Sequence, residues 1–292
     1  MTLTFGFSLL PDLDTGLHRE LVAAADEFGL DFVGIQDHPY VPNYVDTFML
    51  AASVLEQTTR LRVFPDVANL PLRPPAMLAK AAASLDLLSG GRFELALGAG
   101  GYWDAITTLG VERRTSPEAN TALEEAVGLI RAIWAGGSER IVTDGVYYSA
   151  HGLKPGPSPA HPIEIWSGAQ GPNAQRLTGR IFDGWAAPIP SYVPYEKLAG
   201  ANARIDDAAK EAGRDPADIR RIAQIVGTIT DASGDATARE GDAPVRANAD
   251  QWADLVERLA TEQPFTTFVF WPEDQNVEQV TRFATDVAAR FD

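Results

Sequence analysis

The stretch 77-MLAKAAASLDLLSGGRFELALGAGG-101 holds one complete helix-to-strand joint and decides the fold. Met77, Leu78, Ala81, Ala82, Leu85 and Leu88 recur at helical spacing, so they form one apolar stripe. Gly90-Gly91 closes that helix, because glycine adopts the left-handed backbone that ends helices at no steric cost. Phe93-Glu94-Leu95-Ala96-Leu97 then reads as a short strand, and it stops on Gly98-Ala99-Gly100-Gly101.

The same unit repeats on both sides. Upstream, residues 3–10 read as a strand, with a helix over 16–29. Residues 32–35 form a strand ending at Gln36-Asp37-His38-Pro39, and Asp46 caps a helix through Leu55. Residues 61–67 are rich in β-formers, and Pro74-Pro75 opens the helix quoted above. Downstream, the Gly98 loop leads to a long helix through Trp134. Residues 163–166 lead into Ser167-Gly168-Ala169-Gln170-Gly171-Pro172 and a helix through Gly179, and residues 184–189 precede a helix over 194–212. Residues 219–229 form a long strand, followed by an Asp- and Gly-rich loop at 231–243 and a helix over 248–261. Residues 266–271 and a helix over 277–289 complete eight pairs.

Eight near-continuous apolar strands, each followed by a helix, predict an α/β fold: a (β/α)8 TIM barrel, one domain over residues 1–292. The alternation breaks once, at about 136–162. Residues 141–148 there read as a hairpin around Asp144-Gly145, giving a short insertion between strands 4 and 5. A barrel puts chemistry in the loops after its strands, which begin at Leu10, Gln36, Asp66, Gly98, Ser167, Ala187, Thr228 and Trp271.

Composition removes several function classes. Lys and Arg total 24 against 40 Asp and Glu, a net charge of -16 that repels nucleic acid. There is no Cys, hence no disulfide, thiolate metal site or thiol nucleophile. The four histidines, His18, His38, His151 and His161, have no paired ligand spacing, so no metal is expected. No basic segment followed by an apolar run opens the chain, and no stretch reaches about 18 apolar residues; the expectation is a cytoplasmic protein without membrane contact.

Four loops could carry chemistry. Gly98-Ala99-Gly100-Gly101 lets a flat ring or phosphate approach the backbone, or is a plain turn; it lacks the dinucleotide and P-loop spacings. Ser167 to Gly171, ahead of Pro172, offers free backbone N–H groups to a phosphate, or is an ordinary turn with a Ser cap. His38, behind Asp37, could hold or transfer a proton; alternatively Asp37 caps the next turn and His38 packs on Pro39. Trp103 and Asp104 bring an aromatic wall and a carboxylate next to the glycine loop. Tyr40, Tyr44, Trp185 and Trp271 add apolar surface near strand ends.

Four blocks resemble the luciferase-like monooxygenase superfamily of flavin- and coenzyme F420-dependent oxidoreductases. They are residues 25–38, residues 72–80, residues 85–100 with the Leu-Asp-x-Leu-Ser-x-Gly-Arg run, and residues 162–171 with Asp183-Gly184-Trp185. The resemblance implies ring binding near Val67, Ala68, Asn69, Gly98, Ala99 and Gly100, with a non-prolyl cis peptide in the 66–69 stretch. It implies phosphate binding by Ser167, Gly168, Ala169, Gln170 and Gly171. His38 matches a ring-facing position. Where some relatives carry a Glu proton donor this chain has Tyr102-Trp103-Asp104, which makes Asp104 the substitute candidate.

The short insertion and this version of the loop look more like the F420-dependent members. The implied reaction is hydride transfer from F420 to a small, largely apolar carbonyl, imine or activated alkene. An FMN-dependent monooxygenase and a non-catalytic flavin-binding protein are the alternatives. A homodimer is the family's common habit.

Overall fold

The computed structural model describes residues 2–234 and 238–291; residues 235–237 of the expected 231–243 loop lie outside the described residues. The barrel's first strands are β1 (Thr4–Leu9), β2 (Phe32–Ile35), β3 (Arg62–Pro65), its short continuation β4 (Ala68–Asn69) and β5 (Leu95–Gly98). An antiparallel hairpin, β6 (Ile141–Asp144) with β7 (Ser149–Leu153), follows. Strands β8 (Ile165–Ser167), β9 (Gly184–Ala186), β10 (Arg220–Ile229), β11 (Val245–Ala247) and β12 (Thr267–Pro272) complete the set.

All pairings in the large sheet are parallel, in the order β3-β2-β1-β12-β10-β9-β8-β5-β4, with β11 beside β10. Since β4 continues β3, and a bridge joins Val63 to Phe93, the ends of that path meet and the expected eight-stranded barrel closes. The non-prolyl peptide bond Asp66–Val67, between β3 and β4, is cis, within the stretch where one was expected.

Around the sheet run α1 (Thr15–Glu27), α2 (Thr47–Gln57), α3 (Pro75–Ser89), α4 (Trp103–Thr107), α5 (Ser116–Trp134), α6 (Pro172–Ile181), α7 (Leu198–Glu211), α8 (Ala249–Glu262) and α9 (Val277–Arg282). Asp46 caps α2 through the Phe48 and Met49 amides, as its position in the sequence suggests. Gly90 ends α3 with a left-handed φ of 71°. Arg92 explains the rest of that motif: its guanidinium donates to the Leu55, Leu61 and Ser89 carbonyls at 2.7, 3.0 and 3.1 Å, stapling α2, β3 and α3 together.

Three elements depart from the sequence reading, the first being the short helix α4, which it did not foresee. The three residues of β11 hide behind the Gly-rich loop, too short to show alternation. The expected last helix keeps α-geometry only to Arg282, then widens into a π-turn over Phe283–Val287 and tightens to 3-10 geometry.

The hairpin is fastened from below. The Glu125 carboxylate on α5 accepts the Val146, Tyr147 and Tyr148 amides at 2.8, 2.8 and 3.0 Å. Farther along, Asp86 accepts the Ala160 and His161 amides and binds His161 Nδ1 at 2.6 Å, returning the chain to the base of the barrel.

Inside the barrel Phe32, Phe64, Ala96, Trp166, Ala186, Ile222 and Val269 form a separate apolar plug, all buried. Side chains two apart on a strand share a face. The next inward layer toward the strands' C-terminal ends is therefore Gly34, Asp66, Gly98, Gly168, Pro188, Gln224 and Trp271. Three of these are glycines, beside which the Phe64 and Val67 side chains pack, while Asp66, Gln224 and Trp271 floor a hollow above the plug.

Candidate active site

The hollow opens into a cavity of about 580 Å³ whose walls are the loops after β2, β3, β5, β8 and β9, the start of α5, and the floor residues Asp66, Gln224 and Trp271. The sequence-predicted residues Val67, Ala68 and Asn69, then Gly98, Ala99 and Gly100, line it together. So do Ser167, Gly168, Ala169, Gln170 and Gly171, with His38, Asp37 and Trp103. Asp104 does not. Its carboxylate is exposed, pairs with Arg113, and faces solvent rather than the cavity.

The glycines serve two purposes. A Cβ on Gly98 would meet Val67 Cγ2 at 2.8 Å, and one on Gly168 would meet the same methyl at 2.9 Å, so these two seat the Val67 side chain. Gly101 and Gly171 have nothing within 4 Å of a built Cβ and leave open space beside the backbone. At the N-terminus of α6, Gly171 supplies no side-chain cap and Pro172 has no N–H, so the helix's first amides point outward with their share of the helix dipole.

Asp37 is occupied. Arg73 clamps it with Nε to Oδ2 and Nη2 to Oδ1, both 2.7 Å, and Oδ2 also accepts the Asn69 amide at 2.8 Å. Arg73 reaches Asp46 Oδ2 at 2.7 Å as well, tying the ends of β2 and β4 to the cap of α2. This carboxylate neither caps the next turn nor is free to move protons; it holds the loop that carries His38.

His38 Nδ1 lies 2.6 Å from the Tyr40 hydroxyl. Burial holds the imidazole below its ordinary value of 6.5, against the raising effect of the Asp37 carboxylate. The Tyr40 phenol is pushed up to about 12, chiefly by burial, with Tyr102 and Asp37 adding to it. At neutral pH both groups are uncharged, and a hydrogen bond in which the Tyr40 hydroxyl donates to Nδ1 puts the imidazole proton on Nε2. Tyr102 packs on both rings, at 5.9 Å from His38 and 6.2 Å from Tyr40, and edge-on to Tyr192 at 6.2 Å.

An NMR titration of His38 is expected to give a pKa below 6.5, and Tyr40→Phe, which removes the donor to Nδ1, to move it upward. The folded value lies below the unfolded one, so the stability linked to His38 is present above 6.5 and is lost as pH falls through the folded value.

Residues that the sequence reading did not single out are Gln224, Tyr102, Tyr192 and the side chain of Asp66. Gln224 carries a legible signal, a polar residue inside the apolar run 222–226. Buried polar atoms without a partner concentrate here: Asp66 Oδ2, Asn69 Oδ1, Ser167 Oγ, Gln224 Oε1 and Trp271 Nε1.

The sequence model described as "Luciferase-like monooxygenase" matches residues 8–278. An F420-dependent glucose-6-phosphate dehydrogenase of Microbacterium testaceum (strain StLB037) is 28% identical over 284 residues, 89% of this chain and 81% of that one. An F420-dependent hydroxymycolic acid dehydrogenase of Mycobacterium tuberculosis is 32% identical over 226 residues, 74% of this chain and 60% of the relative. The coenzyme F420-dependent tetrahydromethanopterin reductase of Methanopyrus kandleri superposes with a TM-score of 0.84 over all of both chains at 20% identity, which shows a shared fold. With a family match across almost its whole length and the family's barrel, the chain belongs to the luciferase-like monooxygenase family.

Proposed function

We propose that this protein is an oxidoreductase that takes coenzyme F420, with FMN as the alternative, and passes a hydride to a small, largely apolar carbonyl, imine or activated alkene. The observation that carries the reading is the convergence of five strand-end loops on one cavity, in a chain whose relatives are named for F420. The residues present fit a flat ring with a phosphate-bearing tail. Ser167 and Asn69 line the cavity with Oγ and Oδ1 unpartnered, Gly101 and Gly171 leave room at the backbone, and the uncapped start of α6 suits an anion.

In this reading Val67, Ala68, Asn69, Gly98, Ala99 and Gly100 hold the ring, and Ser167 to Gly171 hold the phosphate. When bound, the coenzyme supplies the two-electron hydride chemistry. The plug closes the cavity from below, and the Tyr40, Tyr102 and Tyr192 rings cluster on its wall. His38 offers its Nε2 proton to the substrate heteroatom, and Tyr40 fixes the tautomer that makes this so. Among the described residues no Lys or Arg lines the cavity, so a phosphorylated sugar, as in the name of the Microbacterium relative, finds no cationic side chain there.

Anaerobic oxidation of reduced F420 with a panel of enones, aldehydes and imines tests the proposal. At least one substrate is expected to exceed the buffer rate, and His38→Ala to slow it about 100-fold, the usual scale of a general acid. No response to any of them, with oxygen-dependent turnover of reduced FMN instead, would select the monooxygenase alternative.

A further inference from the structure

The floor of the cavity holds a carboxylic acid that the proposed mechanism leaves unused. Asp66 sits two residues beyond the plug residue Phe64, and Gln224 two beyond Ile222, so the barrel's alternation turns both side chains inward onto one level. Gln224 Nε2 donates to Asp66 Oδ1 at 2.9 Å. That bond fixes both groups and leaves two acceptor oxygens, Asp66 Oδ2 and Gln224 Oε1, buried and without partners. Asp66 and Gln224 are 8% and 6% exposed, and both line the cavity.

Buried carboxylates are normally paired with a cation. Of the ionisable groups on the cavity wall, Asp37 is taken by Arg73, while His38, Tyr40, Tyr102 and Tyr192 bring no fixed positive charge. Arg73 points at Asp37 and Asp46 instead. The rest of the wall near the floor is aromatic or small: Trp271, Pro188 and Ala186. An acceptor pair with one negative charge, on an aromatic and apolar floor, complements a positively charged N–H donor.

We propose that Asp66 and Gln224 form a subsite for the protonated nitrogen of the substrate, so that the substrate class is a cyclic or secondary imine reduced to its amine. The inference deepens the proposed function and rests on it for the redox step alone. Asp66 accepts an N–H of the iminium, whose nitrogen is already protonated and takes no proton from His38. The iminium carbon gains a hydride from the reduced deazaflavin or flavin, the C=N electron pair moves onto nitrogen, and a neutral amine results that regains a proton from solvent. Burial pushes the Asp66 carboxyl up to about 7, against the Gln224 hydrogen bond, so the empty subsite binds a cation better as pH rises through neutrality.

The test uses the whole protein without added coenzyme: calorimetric titration with piperidine, protonated at the working pH, against cyclopentanol, a neutral alcohol with the same number of heavy atoms, for wild type, Asp66→Asn and Asp66→Ser. Piperidinium is expected to bind wild type more tightly than the alcohol, to bind better at pH 8 than at pH 6, and to lose about tenfold or more in both variants. Thermal melting verifies that each variant folds, and Asp66→Asn keeps the shape of the side chain it replaces. Equal binding of amine and alcohol, or amine binding unchanged in Asp66→Asn, overturns the subsite. Parallel titration with F420 separates the two claims. Amine binding without F420 binding leaves the subsite standing and removes the proposed function, and the reverse result does the opposite.

Discussion

Arg73→Ala is expected to lower stability to urea by about 3 to 5 kcal/mol, the scale for stripping the partner from a buried charge. Asp37 keeps 1% of its side chain exposed and would lose two charge-assisted bonds at once, along with the guanidinium that stacks 4.6 Å from the Phe48 ring. The cost should fall on the site as well, because the same carboxylate holds the Asn69 amide and adjoins His38. Asp37→Leu combined with Arg73→Met should recover part of the loss, since removing both partners leaves no orphaned charge. A single variant within 1 kcal/mol of wild type would show that the clamp contributes little.

Gly98→Ala carries the second large effect. The added methyl would stand 2.8 Å from Val67 Cγ2, the same methyl that a Cβ on Gly168 would meet at 2.9 Å. Overpacking of this kind costs roughly 1 to 3 kcal/mol. Any relief that pushes Val67 into the cavity should weaken coenzyme binding by about tenfold for each 1.4 kcal/mol. Val67→Ala in the same chain removes the clashing methyl and should restore stability, measured by thermal melting. If Gly98→Ala alone bound coenzyme as well as wild type, the packing of Val67 between the two glycines would not shape the site.

The barrel was legible because each strand is a continuous apolar run closed by turn residues, and this signal survives without knowledge of partners. The positions of the loops followed at once, and Gly98 to Gly100 and Ser167 to Gly171 meet at one cavity. What the side chains do within those loops was less legible. Trp103 and Asp104 are neighbours in sequence, but the segment coils into α4, where successive side chains diverge by about 100°. One therefore lines the cavity and the other meets solvent. Asp37 stands beside His38 in sequence, yet its role is set by Arg73, which lies 36 residues away with no local pattern to announce it. Asp66 and Gln224 come from strands 158 residues apart, and only the inward register of the closed barrel brings them together.

Fluorescence titration of the purified protein with F420 and FMN shows whether this cavity takes a deazaflavin coenzyme. Saturable binding of F420 is expected, tighter than that of FMN and weakened by Gly98→Ala. Tight binding of FMN with no response to F420, or no binding of either, would contradict it.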